Sequence, residues 1–270
     1  MELDSNNADA QLALACIPPF FRNWGRGERE LRLVRERHPN HWLANGRLAL
    51  MLYNVGRFEE SAALHQEVIE RDPMIPGPYA FAAAALSNAG RVHEAEALLR
   101  TAHDQWPAHP ILWFAKFNHL LFSGRPGAAA AFVQDPAALP SGLGPVQVQS
   151  RMVLARAVEF RRPRDVEATL KRQQQFTMPN ASAIAGAAPI FALLGQFDLT
   201  FASLDRHYFD RGPFGTPAPI GPYPRRHTDF LFSLPMAAAR PDPRFAQRTR
   251  TIGLDDYWRA TGTQPPQLPA

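Results

Sequence analysis

Residues 41–73 read HWLANGRLALMLYNVGRFEESAALHQEVIERDP, and this stretch decides the fold. In its first half, Leu48 and Leu52 belong to an apolar stripe with the spacing of one helix face. Gly56 ends that stripe, as glycine commonly ends a helix. A second helical stripe follows and stops at Pro73, because the residue before a proline is disfavoured in helical conformation. The stretch therefore predicts two antiparallel helices joined by a tight turn.

Two markers of this unit recur at intervals of 34 residues. They are Gly56-Arg57, Gly90-Arg91 and Gly124-Arg125, together with Pro39, Pro73 and Pro107. A single helix pair cannot bury its apolar stripe alone, so neighbouring pairs must stack on one another. The arginine after each glycine is not needed for the turn, and we expect it to be solvated. The period predicts an all-α array of repeated helix pairs.

The turn and the residues after it carry a family resemblance. Each repeat has a glycine, an apolar residue two positions later and a small residue three positions beyond: Gly56, Phe58 and Ser61, then Gly90, Val92 and Ala95. In this order and in its 34-residue period ending in proline, the chain resembles the tetratricopeptide repeat family. The resemblance implies an α-α superhelix, a solenoid of antiparallel helix pairs, in which the first helices of successive repeats line a concave groove.

We expect the array to occupy residues 1–209, with the best repeats at 42–107. The helix expected before the first good repeat is interrupted by Pro18-Pro19, as in an atypical terminal repeat. Two more helix pairs are predicted after the third turn: residues 145–160 with 163–176, and 181–194 with 197–209.

Residues 210–270 have a different composition. An extended segment rich in proline and glycine comes first, and two short helices are predicted after it, over 244–252 and from Leu254. The tail resembles the C-terminal end of tetratricopeptide regions in bacterial winged-helix regulators and nucleotide cyclases. The residues that carry this resemblance are Asp242-Pro243-Arg244-Phe245, Gly253-Leu254, Tyr257-Trp258 and Gly262. We expect the tail to cap the last exposed helix face. The repeats begin within the first few dozen residues, so we expect no winged-helix or cyclase domain before them.

The sequence offers little that indicates catalysis, a metal or a cofactor. The nine histidines show no zinc-ligand spacing, and phosphate-binding and nucleophile-elbow motifs do not occur. Asp205 and His207 lie two positions apart on a helix that we expect to be solvated, so they would not face each other. We predict a protein that is not an enzyme and needs no metal or cofactor.

Charge, cysteine content and hydropathy restrict the location and the partners. The formal net charge is +4, and the basic stretch at 26–37 is interspersed with glutamates, so we do not expect direct nucleic-acid binding. No apolar run reaches the roughly 18 residues of a membrane span, and the start of the chain is acidic rather than basic. With a single cysteine, the sequence favours the bacterial cytoplasm.

The repeat register predicts which residues face the concave groove. They are Tyr53, Asn54, Ser87, Asn88, Phe114, Asn118, Leu121 and Phe122. Asn54 and Asn88 are equivalent positions one repeat apart, and their amides can bond both the donors and the acceptors of a peptide backbone. Asparagine before a glycine turn is equally an ordinary helix-ending residue. For Phe114 and Phe122, packing is favoured over binding.

Three hypotheses for function follow. The first is a scaffold or adaptor that binds a peptide or protein partner in the groove of the array. The second is a regulatory module that acts on transcription or signalling through a DNA-binding or catalytic partner. The third is an enzyme whose site cannot be recognised from sequence. Self-association is also left open, because the run AAAAFV at 128–133 offers a surface for close packing.

Overall fold

The computed structural model of the chain describes residues 6–177, 181–211 and 226–266. Within these ranges all regular structure is helical, and no strand occurs. The α-helices are α1 Ala8–Cys16, α2 Trp24–Arg37, α3 Trp42–Asn54, α4 Phe58–Arg71, α5 Pro76–Asn88, α6 Val92–Gln105, α7 Pro110–Phe122, α8 Pro126–Val133, α9 Pro145–Phe160, α10 Pro163–Thr177, α11 Ala181–Leu193, α12 Phe197–Phe209, α13 Pro243–Thr251 and α14 Leu254–Thr261. Two 3₁₀ turns, Asp229–Phe232 and Leu234–Ala239, precede α13. The all-α array of helix pairs is thereby confirmed, and it has the tetratricopeptide-like arrangement.

The glycine of each repeat closes the turn between paired helices. Gly56, Gly90, Gly124 and Gly195 have φ of +82°, +83°, +79° and +74°. A residue with a Cβ is strained at such angles, which explains why glycine returns at this position. Gly195 joins α11 to α12, so the same turn appears again near the end of the array.

The prolines at 39, 73 and 107 end the second helix of each repeat. The residues before them, His38, Asp72 and Trp106, have φ between −132° and −139° and ψ between 66° and 86°. These angles lie outside the helical region, which a following proline disfavours. The three connections between repeats consequently have the same geometry, and successive pairs stack in register.

The arginine after each turn glycine is not simply solvated, which corrects the expectation above. Each of these side chains reaches back to a glutamate on the second helix of the preceding repeat. The pairs and their N–O distances are Arg57–Glu28 (2.6 Å), Arg91–Glu59 (2.7 Å) and Arg125–Glu96 (2.9 Å). The two exposed pairs, at Arg91 and Arg125, contribute about 0.2–1 kcal/mol each, whereas the Arg57–Glu28 pair is largely buried. Their repetition links α2 to α4, α4 to α6 and α6 to α8 along the outer layer.

The last helix pair and the tail return to the first repeats. The ring of Phe21, between α1 and α2, stacks on that of Tyr208 in α12 with centroids 5.6 Å apart. Trp258 in α14 donates its Nε1–H to the carbonyl of Val55 (2.9 Å). Trp24 in α2 donates in the same way to Ile252 (2.9 Å). One apolar core therefore contains the first helices, α12 and the tail, and the array is closed on itself.

The contacts of the tail correct one expectation, that the last helix of the array is solvated. The tail does cover α12, where Arg248 of α13 donates from Nε to Asp205 (2.9 Å). However, α14 packs on the first repeats rather than on the last helix. As a result α12 is not a solvated helix: Arg206 and His207 are each only 5% exposed.

Most of the predicted proline- and glycine-rich segment lies outside the described residues, which omit 212–225. The division into an array at 1–209 and a tail at 210–270 stays a prediction. No helix in the described ranges is both long and apolar enough to cross a bilayer.

Candidate functional site on the inner surface

The side chain of Asn54, at the end of α3, binds a returning segment of the same chain. The side-chain Oδ1 of Asn54 accepts a hydrogen bond from the main-chain N–H of Thr228 (2.8 Å). The main-chain carbonyl of Asn54 accepts a second one from the Thr228 hydroxyl (2.5 Å). The amide nitrogen of Asn54 donates to the carbonyl of Leu50 (2.8 Å), which fixes the orientation of the group. Thr228 is completely buried by this contact.

Asn88, one repeat later, contacts the same segment. Its Oδ1 accepts from the main-chain N–H of Leu234 (3.3 Å), and its Nδ2 donates to the hydroxyl of Tyr53 (2.7 Å). Two equivalent amides thus hold main-chain donors six positions apart. We call residues 228–239, which contain both 3₁₀ turns, the inner segment.

The other predicted groove residues divide between a cavity and the core. Ser87 lies at the cavity and shares a hydrogen bond with Nδ1 of His119 (2.9 Å). Asn118 is exposed, and Phe122 is half-buried. Leu121 is 1% exposed and belongs to the core. Phe114 packs edge-on against Trp113 with ring centroids 5.2 Å apart, as the packing interpretation of this residue expected.

A cavity of about 580 Å³ lies between the array and the inner segment. Five of the predicted residues line it: Tyr53, Ser87, Asn88, Asn118 and Phe122. Its walls come from α3, α5, α6, α7, α9, α10 and α11, and from the inner segment. Asn118, Gln147 and Gly186 are exposed and mark its mouth, whereas Phe117 and Leu154 are buried at its floor.

Two charged residues at this cavity were not predicted from the sequence. Arg151 comes from α9, and Asp229 begins the inner segment's first 3₁₀ turn. Burial lowers the pKa of Arg151 and raises that of Asp229, since it disfavours the charged form of each. A single arginine ahead of the apolar run MVLA could have drawn attention to Arg151. No local pattern identifies Asp229, because it reaches the cavity only through the return of the chain.

The histidine at the cavity is held in the neutral form. Burial, and after it the charge of Arg125, lowers the pKa of His119. Its Nε2 lies 3.1 Å from a guanidinium nitrogen of Arg125, which donates to it. Among the described residues, no group of three or more His, Cys, Asp or Glu side chains is placed to hold a metal ion. The arrangement offers hydrogen bonds and an apolar surface to a bound molecule.

Comparisons with known proteins give the following. No family model matches the chain, and no curated protein matches it. Among solved structures, it is similar to the crystal structure of a tetratricopeptide repeat protein from Parabacteroides merdae ATCC 43184. The identity is 10% and the TM-score 0.44, over 95% of this chain and 99% of that one. The description of the fold rests on the helix pairs, the 34-residue register and the turn geometry of this chain.

Proposed function

We propose that the protein is a non-enzymatic interaction module whose inner surface binds a polypeptide segment of a partner protein. The observation that supports this proposal is the pair of amides, Asn54 and Asn88, on the main chain of the inner segment. Both contacts are to backbone N–H groups, so they place little restriction on the side chains of the bound segment.

In this proposal the inner segment occupies the binding surface until a segment of the partner protein displaces it. Asn54 holds it through two contacts with Thr228, and Asn88 adds a longer one at Leu234. A neutral hydrogen bond contributes about 0.5–1.5 kcal/mol net. Local detachment of residues 228–234 would therefore cost little in hydrogen bonds, although the buried Leu231 and Phe232 oppose it. The partner's segment would gain the same contacts.

The variant Thr228→Pro tests this exchange. Proline has no N–H and no hydroxyl, and its ring is incompatible with the φ of −120° at this position. Both contacts with Asn54 are lost while the groove itself is unchanged. Thr228→Ser keeps both contacts and is the matched control.

The assay measures binding of a fluorescent peptide with the sequence of residues 226–240 to the full-length protein. We expect Thr228→Pro to bind it at least about 10-fold more tightly than wild type or Thr228→Ser, because two competing hydrogen bonds are removed. Adding Asn54→Arg and Asn88→Arg should abolish binding while helicity stays equal. Equal affinity in all four proteins would refute the proposal.

The partner itself would be identified by capture from a cell lysate with the same variants. A partner enriched by Thr228→Pro and lost on adding the two arginines would bind in the groove. One retained equally by every variant would bind elsewhere, against the proposal.

The location is part of the same proposal. We place the protein in the bacterial cytoplasm, because a single cysteine forms no internal disulfide and is compatible with a reducing compartment.

A further inference from the structure

The guanidinium of Arg151 faces the cavity without a carboxylate partner. It lies over the rings of Phe114 and Phe117, 5.0 Å and 5.8 Å from their centroids. In the part of the chain that the structure describes, Arg151 forms no ion pair. The aromatic faces support the cation but do not replace the charged hydrogen-bond acceptor that guanidinium groups usually have.

The carboxyl group of Asp229 is the second ionisable group at this cavity, where His227 and the main-chain N–H groups of residues 229 and 230 partly offset the effect of its burial. Its Oδ1 is buried and accepts no hydrogen bond from any residue within the described ranges. The group lies close enough to Tyr53 and Tyr208 for its charge to raise the pKa of both hydroxyls, beyond the effect of their burial. An unsatisfied buried carboxyl oxygen is costly, so the carboxyl group of Asp229 would be stabilised by a donor that approaches it from the cavity it lines.

The remaining lining is mostly apolar, with polar side chains both at the mouth and at the buried positions Ser87, Asn88 and His119. Phe117, Phe122, Leu154 and Ile190 form an apolar wall, and Asn118 lies at the opening. The volume of about 580 Å³ is within the range of roughly 300–1,000 Å³ of small-molecule sites. Such sites combine an apolar lining with a small number of placed polar groups, which is the composition found here.

We propose that this cavity binds a small zwitterion with an apolar side chain, an amino acid or a close relative, with its carboxylate on Arg151 and its ammonium group on Asp229. The site shares its cavity with Asn88, but the two groups that would bind the charges are not the amides of Asn54 and Asn88. Because Asp229 belongs to that segment, the bound molecule would join the segment to α9. A free amino acid carries its ammonium and carboxylate groups on the same carbon atom. A residue inside a peptide has uncharged amide groups in their place, so it would not match both Arg151 and Asp229.

The first experiment measures binding of seven free L-amino acids to the full-length protein by calorimetry, at concentrations up to about 10 mM. They are leucine, isoleucine, valine, methionine, phenylalanine, tyrosine and tryptophan. At least one should bind with a Kd in or below the millimolar range. Its N-acetyl form, which lacks the ammonium group, and its amide, which lacks the carboxylate, should each bind about 10- to 100-fold more weakly. The proposal would be overturned if none of the seven amino acids bound, or if both analogues bound as tightly as the unmodified amino acid.

The second experiment uses Arg151→Met and Asp229→Asn, each of which removes one charge with little change in size. Each should raise the Kd of that amino acid about 10- to 100-fold. The melting temperature without ligand should be unchanged or higher, because a desolvated charge has been removed. Arg156→Met is the control, since Arg156 is exposed on the same helix and does not line this cavity. Unchanged affinity in both charge variants would refute the assignment.

The two proposals fail separately. If no amino acid binds but Thr228→Pro still gains affinity for the peptide, only the small-molecule site is wrong. If amino acids bind and the peptide does not, the interaction module is wrong and the cavity remains a ligand site.

Discussion

Replacing Trp258 by alanine should destabilise the whole array, although this residue lies in the tail. The indole is 5% exposed, its Nε1–H bonds the carbonyl of Val55 at 2.9 Å, and its ring meets Phe232 with centroids 5.6 Å apart. Truncation leaves a cavity among helices of the first repeats and an unpaired carbonyl. Buried tryptophan-to-alanine changes cost about 3–5 kcal/mol, so we expect a loss of about 4 kcal/mol in the free energy of unfolding.

The assay is urea denaturation followed by far-UV circular dichroism, which does not depend on the removed fluorophore. Trp42→Ala is the matched control, because Trp42 is 47% exposed and its truncation should cost less than about 1 kcal/mol. If Trp258→Ala also cost less than about 1 kcal/mol, the tail would not be docked on the first repeats. The closure of the array would then be wrong.

The further predictions concern a glycine inside a helix, a turn glycine and a buried histidine. Gly46→Ala should increase the free energy of unfolding by about 0.5–1 kcal/mol and so raise the melting temperature, because Gly46 is inside α3 with open space where a Cβ would be. Gly124→Ala should lower stability by about 1–2 kcal/mol, since its φ is +79° although its surroundings are equally open; equal shifts for both variants in thermal melts would contradict this. Burial lowers the pKa of His65 to about 4, and neither ring nitrogen has a partner among the described residues, so the stability that its neutral form provides is present above pH 6.5 and is lost as the pH falls towards 4. His65→Phe should reduce this acid-dependent loss by about 2–3 kcal/mol in urea denaturation at pH 7 and pH 4.5, and an identical loss in both proteins would show that His65 is not responsible.

The array could be predicted from sequence because its determinants are local and repeated. Gly56 and Pro73 mark a turn and a helix end whose conformations depend on one or two residues, and the 34-residue interval repeats them. The same reasoning located the pair at 181–194 and 197–209, now α11 and α12. Each of these helix boundaries could be predicted from the residues next to it in the sequence.

The closure of the array and most of the inner surface could not be predicted in this way. Asn54 meets Thr228, a residue 174 positions away, and Asp229 lines the cavity only because of that contact. The sequence left two interpretations of Asn54 and Asn88 open, and in the structure both bond a main chain while ending their helices. The prediction that the last helix is solvated was wrong, because the tail that covers this helix has no periodic relation to the repeats.

Amide hydrogen exchange of the inner segment tests the central claim most directly. In wild type, the N–H groups of Thr228 and Leu234 should exchange more slowly than open-chain amides, because they donate to Asn54 and Asn88. In Asn54→Ala the Thr228 amide should exchange faster while α5 stays protected. Exchange of both amides at open-chain rates in wild type, beside a protected α5, would contradict an inner surface that holds this segment.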